Sequence, residues 1–198
     1  MGRRSTNIRS VDTVRAGKAL LNGEKISEKF FIQEHPPLVD LLDFSLVINH
    51  YHFYLLPRSE NAIPILMQKL NNGFAKFFNI SHNRKDAVFG SRYKSVTVES
   101  DRQSYATTRY VSIINPLDVF QSGWREKGLL NQKEALDFLK NYEFSSFLDR
   151  IGKRNSKILA PSEVLEQYSF GTSFKGKEDY IEFAEEFLRT THPMLVPV

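Results

Sequence analysis

Residues 44–78 constrain the fold more than any other stretch. Phe44-Ser-Leu-Val-Ile48 is rich in strand-forming residues, His50-Tyr-His-Phe-Tyr-Leu-Leu56 follows after Asn49, and Pro57 closes the second run. Two short β-rich segments split by a polar turn residue predict an antiparallel hairpin. Ser59 then precedes an amphipathic pattern in which Ile63, Leu66, Leu70, Phe74, Phe77 and Phe78 recur at helical spacing. Lys69 and Lys76 fall off that stripe, so the helix can bury one face and carry positive charge on another.

Around this centre the chain reads as α+β. Residues 1–37 form a basic arm, with a weak helix expected from about Val11 to Leu21 and no strong strand pattern before Lys29. The core runs over residues 38–120: beyond the helix, Phe89 to Val98 predicts a turn leading into a strand. Ser100 or Asp101 can cap a further helix through Tyr105, Tyr110 and Val111, which is expected to end near Asn115-Pro116. Residues 121–198 are a mainly helical extension, with helices expected over 133–139, 162–168 and 177–188.

Charge is distributed unevenly. Residues 58–94 hold Arg58, Lys69, Lys76, Arg84, Lys85, Arg92 and Lys94 against two acidic residues, whereas residues 160–198 carry seven acidic residues against three basic. A polyanion is drawn to the middle of such a chain and repelled by its tail, although an uneven solvated surface produces the same arithmetic. The chain has no cysteine, so thiol catalysis, disulfides and metal–thiolate sites are excluded, and any metal is held by nitrogen and oxygen. No apolar run approaches the roughly 20 residues that span a bilayer, so no membrane partner is expected.

The candidate chemistry centres on His50 and His52. On a strand, residues i and i+2 project from one face, so the two imidazoles can share one divalent cation, with Tyr51 packed into the core between them. The same pattern also fits a half-buried strand whose histidines are simply hydrogen-bonded. Tyr110 is a conceivable nucleophile only with assistance, because a phenol has a pKa of about 10. Asn115 either supplies a neutral oxygen ligand or caps the helix before Pro116.

Taken together, these segments resemble the IS200-like transposases, the single-tyrosine HUH group, and especially their REP-associated tyrosine transposase branch. Asn49-His-Tyr-His-Phe-Tyr-Leu-Leu56 is similar to the "NHxH-hydrophobic" signature, and Leu66-Met-Gln-Lys-Leu70 through Phe77-Phe-Asn79 to the basic helix that follows it. Phe89-Gly-Ser-Arg-Tyr-Lys-Ser95 resembles the "WQGRF-K" turn, and Val98-Glu-Ser-Asp101 the helix entry after it. Arg109-Tyr-Val-Ser-Ile-Ile-Asn-Pro116 resembles the "RYI…NP" tyrosine helix, and Phe144-Ser-Ser-Phe147 with Gly152-Lys-Arg154 the "WSSY…G" trailer.

The resemblance implies a ferredoxin-like antiparallel sheet with helices. It further implies an enzyme that cleaves and rejoins hairpin-bearing single-stranded DNA through a 5′-phosphotyrosine link. His50, His52 and Asn115 would hold Mg²⁺ or Mn²⁺, Tyr110 would be the nucleophile, and Arg92, Lys94 and Arg109, with Lys69, Lys76, Arg84 and Lys85, would contact DNA. The family includes dimers that share active sites as well as members that act alone, so a homodimer is among the partners it implies, in a cytoplasmic, nucleoid-associated setting. Two departures stand out. The family's first strand is not recognisable before Lys29, so the chain is expected to lack it, as a truncated or misstarted reading frame would; the alternative expectation is a domesticated or truncated, catalytically inactive protein that binds structured single-stranded DNA. Tyr110 and Asn115 are also five residues apart where the family commonly has four. One extra residue turns an α-helical side chain by about 100°, so Asn115 faces the histidines only where a π-bulge absorbs it.

Overall fold

The hairpin is the part of the fold that its residue pattern most directly requires. In the computed structural model, which describes residues 8–11, 31–35, 37–168 and 177–191, it follows a small antiparallel sheet of β1 (Ile8–Val11) and β2 (Phe31–His35). The hairpin itself is β3 (Val39–Leu46) and β4 (Tyr51–Pro57), closed by a hydrogen bond from the Val47 amide to the His50 carbonyl at 2.9 Å. A connection this short forces the two strands antiparallel. The chain is α+β, and its described residues divide into two compact units that interleave: Met1–Val39 with Pro57–Val96, and Asp40–Leu56 with Thr97–Val198.

The first unit contains the β1–β2 sheet and the long helix α1 (Ala62–Ser81). A strand at Ile8–Val11 corrects the expectation that residues 1–29 hold none; four residues carry too little alternation to be read from sequence. The helix expected from Val11 lies, beyond that residue, outside the described residues. On α1 the apolar stripe is only partly covered: Ala62 and Met67 are buried, but Leu70 and Phe74 are 39% and 46% exposed. The strand expected near Val98 does not form. Residues 92–99 run without ladder hydrogen bonds, and Val96 is 92% exposed, because among the described residues no strand pairs with this segment, although Val98 packs against the hairpin cluster. Among the described residues there are thus two two-stranded sheets where a single ferredoxin-like sheet was expected.

In the second unit, helix α2 (Asp101–Arg109) starts at Ser100, whose hydroxyl accepts from the Gln103 amide. The helix does not stop at Pro116. It widens into a π turn over Tyr110–Ile114, where the Asn115 amide donates to the Tyr110 carbonyl, and continues as α3 (Asn115–Phe120). Proline lacks an N–H and its ring clashes with the preceding turn, and the wider i→i+5 turn gives that ring room. Short helices α4 (Trp124–Lys127), α5 (Gln132–Leu139), α6 (Phe147–Arg150) and α7 (Ser162–Tyr168) follow, then α8 (Lys177–Thr190).

The C-terminal helices are not an appendage. Ile113, Ile114 and Leu117 from the widened helix form one core with Trp124, Leu139, Phe147, Tyr180 and Phe187. A second cluster joins Leu42 and Tyr54 of the hairpin to Val111 and Ala160. The outer edge of β3 is covered by the trailer: Leu46 and Ser146 amides bond the Phe44-to-Phe144 backbone reciprocally (Leu46 N to Phe144 O, 2.8 Å; Ser146 N to Phe44 O, 2.9 Å), and Ala160 N reaches Leu41 O at 2.9 Å. Unpaired sheet edges invite other strands, so this cover also protects the hairpin. No helix among the described residues is long and apolar enough to cross a membrane.

A buried ion pair fastens these parts. Asp43 is fully buried on β3, and its carboxylate accepts from Arg150 Nε at 3.1 Å, Arg150 Nη2 at 3.0 Å and the Ser146 hydroxyl at 2.8 Å. Arg150 also donates to the Leu42 carbonyl at 2.8 Å. Removing one partner strands the other's charge in the interior. Asp43→Ala should therefore lower unfolding free energy by about 3–5 kcal/mol in denaturant melts. The Asp43→Ala/Arg150→Met double variant should recover much of that loss.

Candidate functional site

The alternation of β4 places His52 and Tyr54 on one face, and His50, immediately before the strand, sets its ring beside His52. That face meets the tyrosine helix. Tyr54 Oη lies 2.7 Å from Ser104 Oγ on α2, and the His52 ring meets the Tyr110 ring edge-on, centroids 5.4 Å apart at 90°. Strand and helix thus run in opposite directions, so that stepping back from Tyr54 to His52 corresponds to stepping forward from Ser104 to Tyr110. Val111, beside Tyr110, packs with Leu42 and Tyr54 and holds this register. Tyr51 is half-buried on the opposite face, stacked on Phe53 at 4.8 Å, rather than packed into the core.

The two imidazoles are adjacent, with centroids 4.9 Å apart. His50 is exposed, and its Nδ1 lies 2.7 Å from Asn49 Oδ1. Because an amide oxygen only accepts, Nδ1 is the donor in that contact. Burial, with help from neighbouring His50 and the charge of Arg125, pulls His52 down to about 4, against an opposing pull from Asp118. His52 is therefore neutral at physiological pH, the form in which imidazole ligates a metal.

Asn115 is fully buried. The π turn that carries it places it within reach of Arg125, whose Nη2 donates to Asn115 Oδ1 at 3.3 Å, while Asn115 Nδ2 has no hydrogen-bond partner. The two adjacent imidazoles offer nitrogen donors, whereas the Asn115 oxygen already accepts from Arg125 and its other polar atom is a donor. Two nitrogens suit a first-row ion such as Mn²⁺ better than Mg²⁺, which seeks oxygen. Among the described residues no group of three or more His, Asp or Glu side chains is placed to hold a metal.

Sequence reasoning missed the residues that complete this surface. Gly123 takes a left-handed conformation (φ +73°) that opens the short helix α4 and presents Trp124 and Arg125. Asp118 Oδ1 accepts from Trp124 Nε1 at 2.8 Å and Arg125 Nε at 2.9 Å, and its other oxygen accepts from Arg125 Nη2. The Arg125 guanidinium carbon stands 5.4 Å from the Tyr110 ring centroid. A helix of four residues has no periodicity to read, and the only available signal was the chain's single tryptophan placed after a glycine.

The remaining candidates lie elsewhere. Arg109 packs its guanidinium against Tyr105 and Phe187, at 5.7 and 5.2 Å from their centroids, with its Nε buried and unpartnered. It serves the helix-to-helix core. Lys69, Lys76, Arg84, Lys85, Arg92 and Lys94 are all exposed and belong to the first unit. There, Phe74, Phe78, Phe89 and His82 form a chain of ring contacts, with Arg84 over Phe78 at 5.6 Å. A groove of about 540 Å³ beside it is lined by Asn71, Asn72, Phe89, Arg92 and Tyr93, among others.

The low His52 value fixes a pH dependence. The unfolded chain takes up the proton near the ordinary 6.5 and the folded chain only near 4, so this group's stabilisation is complete above about 6.5 and is lost as pH falls towards 4. Histidine NMR titration should show one imidazole with its midpoint near 4, absent from His52→Gln, and that variant should lose the corresponding part of the acid slope in stability. A His52 midpoint near 6.5 would contradict this electrostatic account.

No family model, curated protein or solved structure matches this chain.

Proposed function

We propose that this protein binds structured single-stranded DNA and breaks and rejoins it through Tyr110. The single observation that carries the reading is the convergence of His50, His52 and Tyr110, from separate elements, on one surface. The resemblance of these segments to single-tyrosine HUH transposases supports the same reading. Exposed cations interleaved with aromatic rings in the first unit supply the phosphate contacts and stacking faces that single strands require.

In this reading Tyr110 Oη attacks a backbone phosphorus. The new O–P bond forms as the bond from phosphorus to the 3′ oxygen breaks. The phenol proton passes to solvent, and the departing 3′ oxygen takes up a proton to leave a free 3′-OH. The phosphotyrosine link keeps the energy of the broken bond, so a second 3′-OH can reverse the step without ATP. His50 and His52 would hold a divalent cation, whose chemistry when bound is to polarise a phosphoryl oxygen. The edge-on contact with His52 orients the Tyr110 ring, and the 36% exposure of Tyr110 leaves it open to a strand.

A hairpin-bearing single-stranded oligonucleotide with Mn²⁺ should give a protein–DNA adduct that survives denaturing electrophoresis. Tyr110→Phe should give none, and His50→Ala and His52→Ala should bind the oligonucleotide but lose the adduct. Equal adduct from wild type and Tyr110→Phe would falsify the nucleophile assignment.

One observation favours a second reading, a DNA-binding protein that does not cut: the Asn115 oxygen already accepts from Arg125, and among the described residues no third His, Asp or Glu joins the histidine pair. That reading predicts hairpin binding that weakens steeply with salt and persists in His50→Ala, with no nicking under any divalent metal.

A further inference from the structure

Arg125 stands at the centre of the candidate site, and the reaction above does not use it. Its Nε and Nη2 edge is held side-on by Asp118, and the same carboxylate is shared with the Trp124 indole. Nη2 is divided further with Asn115. Beyond these contacts the guanidinium also lies within interaction range of the Tyr110 hydroxyl. The side chain is 28% exposed, so the guanidinium can be reached from solvent while its Asp118 contacts hold it in place. Its charge lies against the Tyr110 ring and also reaches His52.

We propose that Arg125 binds the phosphodiester at this site, its guanidinium donating to a non-bridging oxygen of the phosphoryl group that Tyr110 attacks. The inference rests on the reading of Tyr110 as nucleophile. A guanidinium fixed on one edge by a carboxylate, with its charge held beside the nucleophile, is suited to an oxyanion. Negative charge grows on the phosphoryl oxygens during transfer, so a cation preorganised beside the nucleophile acts chiefly on the rate. Asp118 is then a positioning residue: it aims the fork and never meets the DNA.

Trp124 offers a readout that needs neither metal nor turnover. It is the only tryptophan in the chain, and it shares Asp118 with Arg125, so its fluorescence senses what Arg125 binds. Inorganic phosphate added to metal-free protein should shift Trp124 emission in the wild type but not in Arg125→Gln. With saturating hairpin oligonucleotide and Mn²⁺, Arg125→Gln should form adduct about 100-fold more slowly. Methylguanidinium should restore part of the rate lost in Arg125→Ala, which a purely structural role would not allow.

Adduct formation at the wild-type rate in Arg125→Gln, or an equal phosphate response in both proteins, overturns the inference. If Arg125→Gln does not fold, Arg125→Lys keeps the charge without the fork and should be about tenfold slower; the wild-type rate there overturns it too. A wild type that forms no adduct but responds to phosphate through Arg125 removes the Tyr110 reading and leaves Arg125 as the anion-binding group.

Discussion

Asp43 is the residue on which the second unit depends. A carboxylate with no exposure to water is tolerated only when its charge and lone pairs are met, and Arg150 and Ser146 meet them from the trailer. The neighbouring network extends the tie. Ser112 in the π turn donates its one hydroxyl proton to Thr108 O at 2.7 Å, so the Tyr180 hydroxyl must donate to Ser112. Burial raises the Tyr180 phenol's pKa, which keeps it protonated for that role. Strand β3, the trailer, the widened helix and α8 are thus joined by polar contacts whose failure in any one element leaves a buried group unpaired.

That tie explains how a hairpin and a distant helix come to share a surface. The trailer caps the outer edge of β3, the π turn sits in the core through Ile113 and Ile114, and Val111 locks against Leu42 and Tyr54. His52 and Tyr110 meet because those registers are fixed. Arg125 is added by a separate local device, a left-handed Gly123 followed by a buried Trp124 whose indole and neighbouring guanidinium share one carboxylate. The site's electrostatics follow: a fixed cation and partial burial keep His52 neutral, and an exposed His50 is oriented by Asn49.

Much of the local structure was legible. The expected helices over 133–139, 162–168 and 177–188 correspond to α5, α7 and α8, because each has a continuous apolar face at helical spacing. The helix entry at Ser100 was readable from capping chemistry. Pro116 misled, since proline's local preference argues for a helix end, and only the packing of Ile113, Ile114 and Leu117 sustains the helix through it. The expected strand near Val98 failed for the converse reason: β-forming residues were present, but no neighbouring strand pairs with them among the described residues. Arg109 was read from its place beside Tyr110, yet one step along a helix turns a side chain by about 100°, towards Tyr105 and Phe187.

The sequence by itself determined that two imidazoles lie on one face, because the two-residue period of a strand is a local property of the backbone. It also determined that Tyr110 and Asn115, five positions apart, needed a widened turn to be brought to related positions. Only the tertiary structure decided that the turn does widen, that Tyr110 meets His52, and that Arg125 claims the Asn115 oxygen. Those outcomes depend on contacts between residues far apart in the chain, anchored by a buried carboxylate, and no local period encodes them.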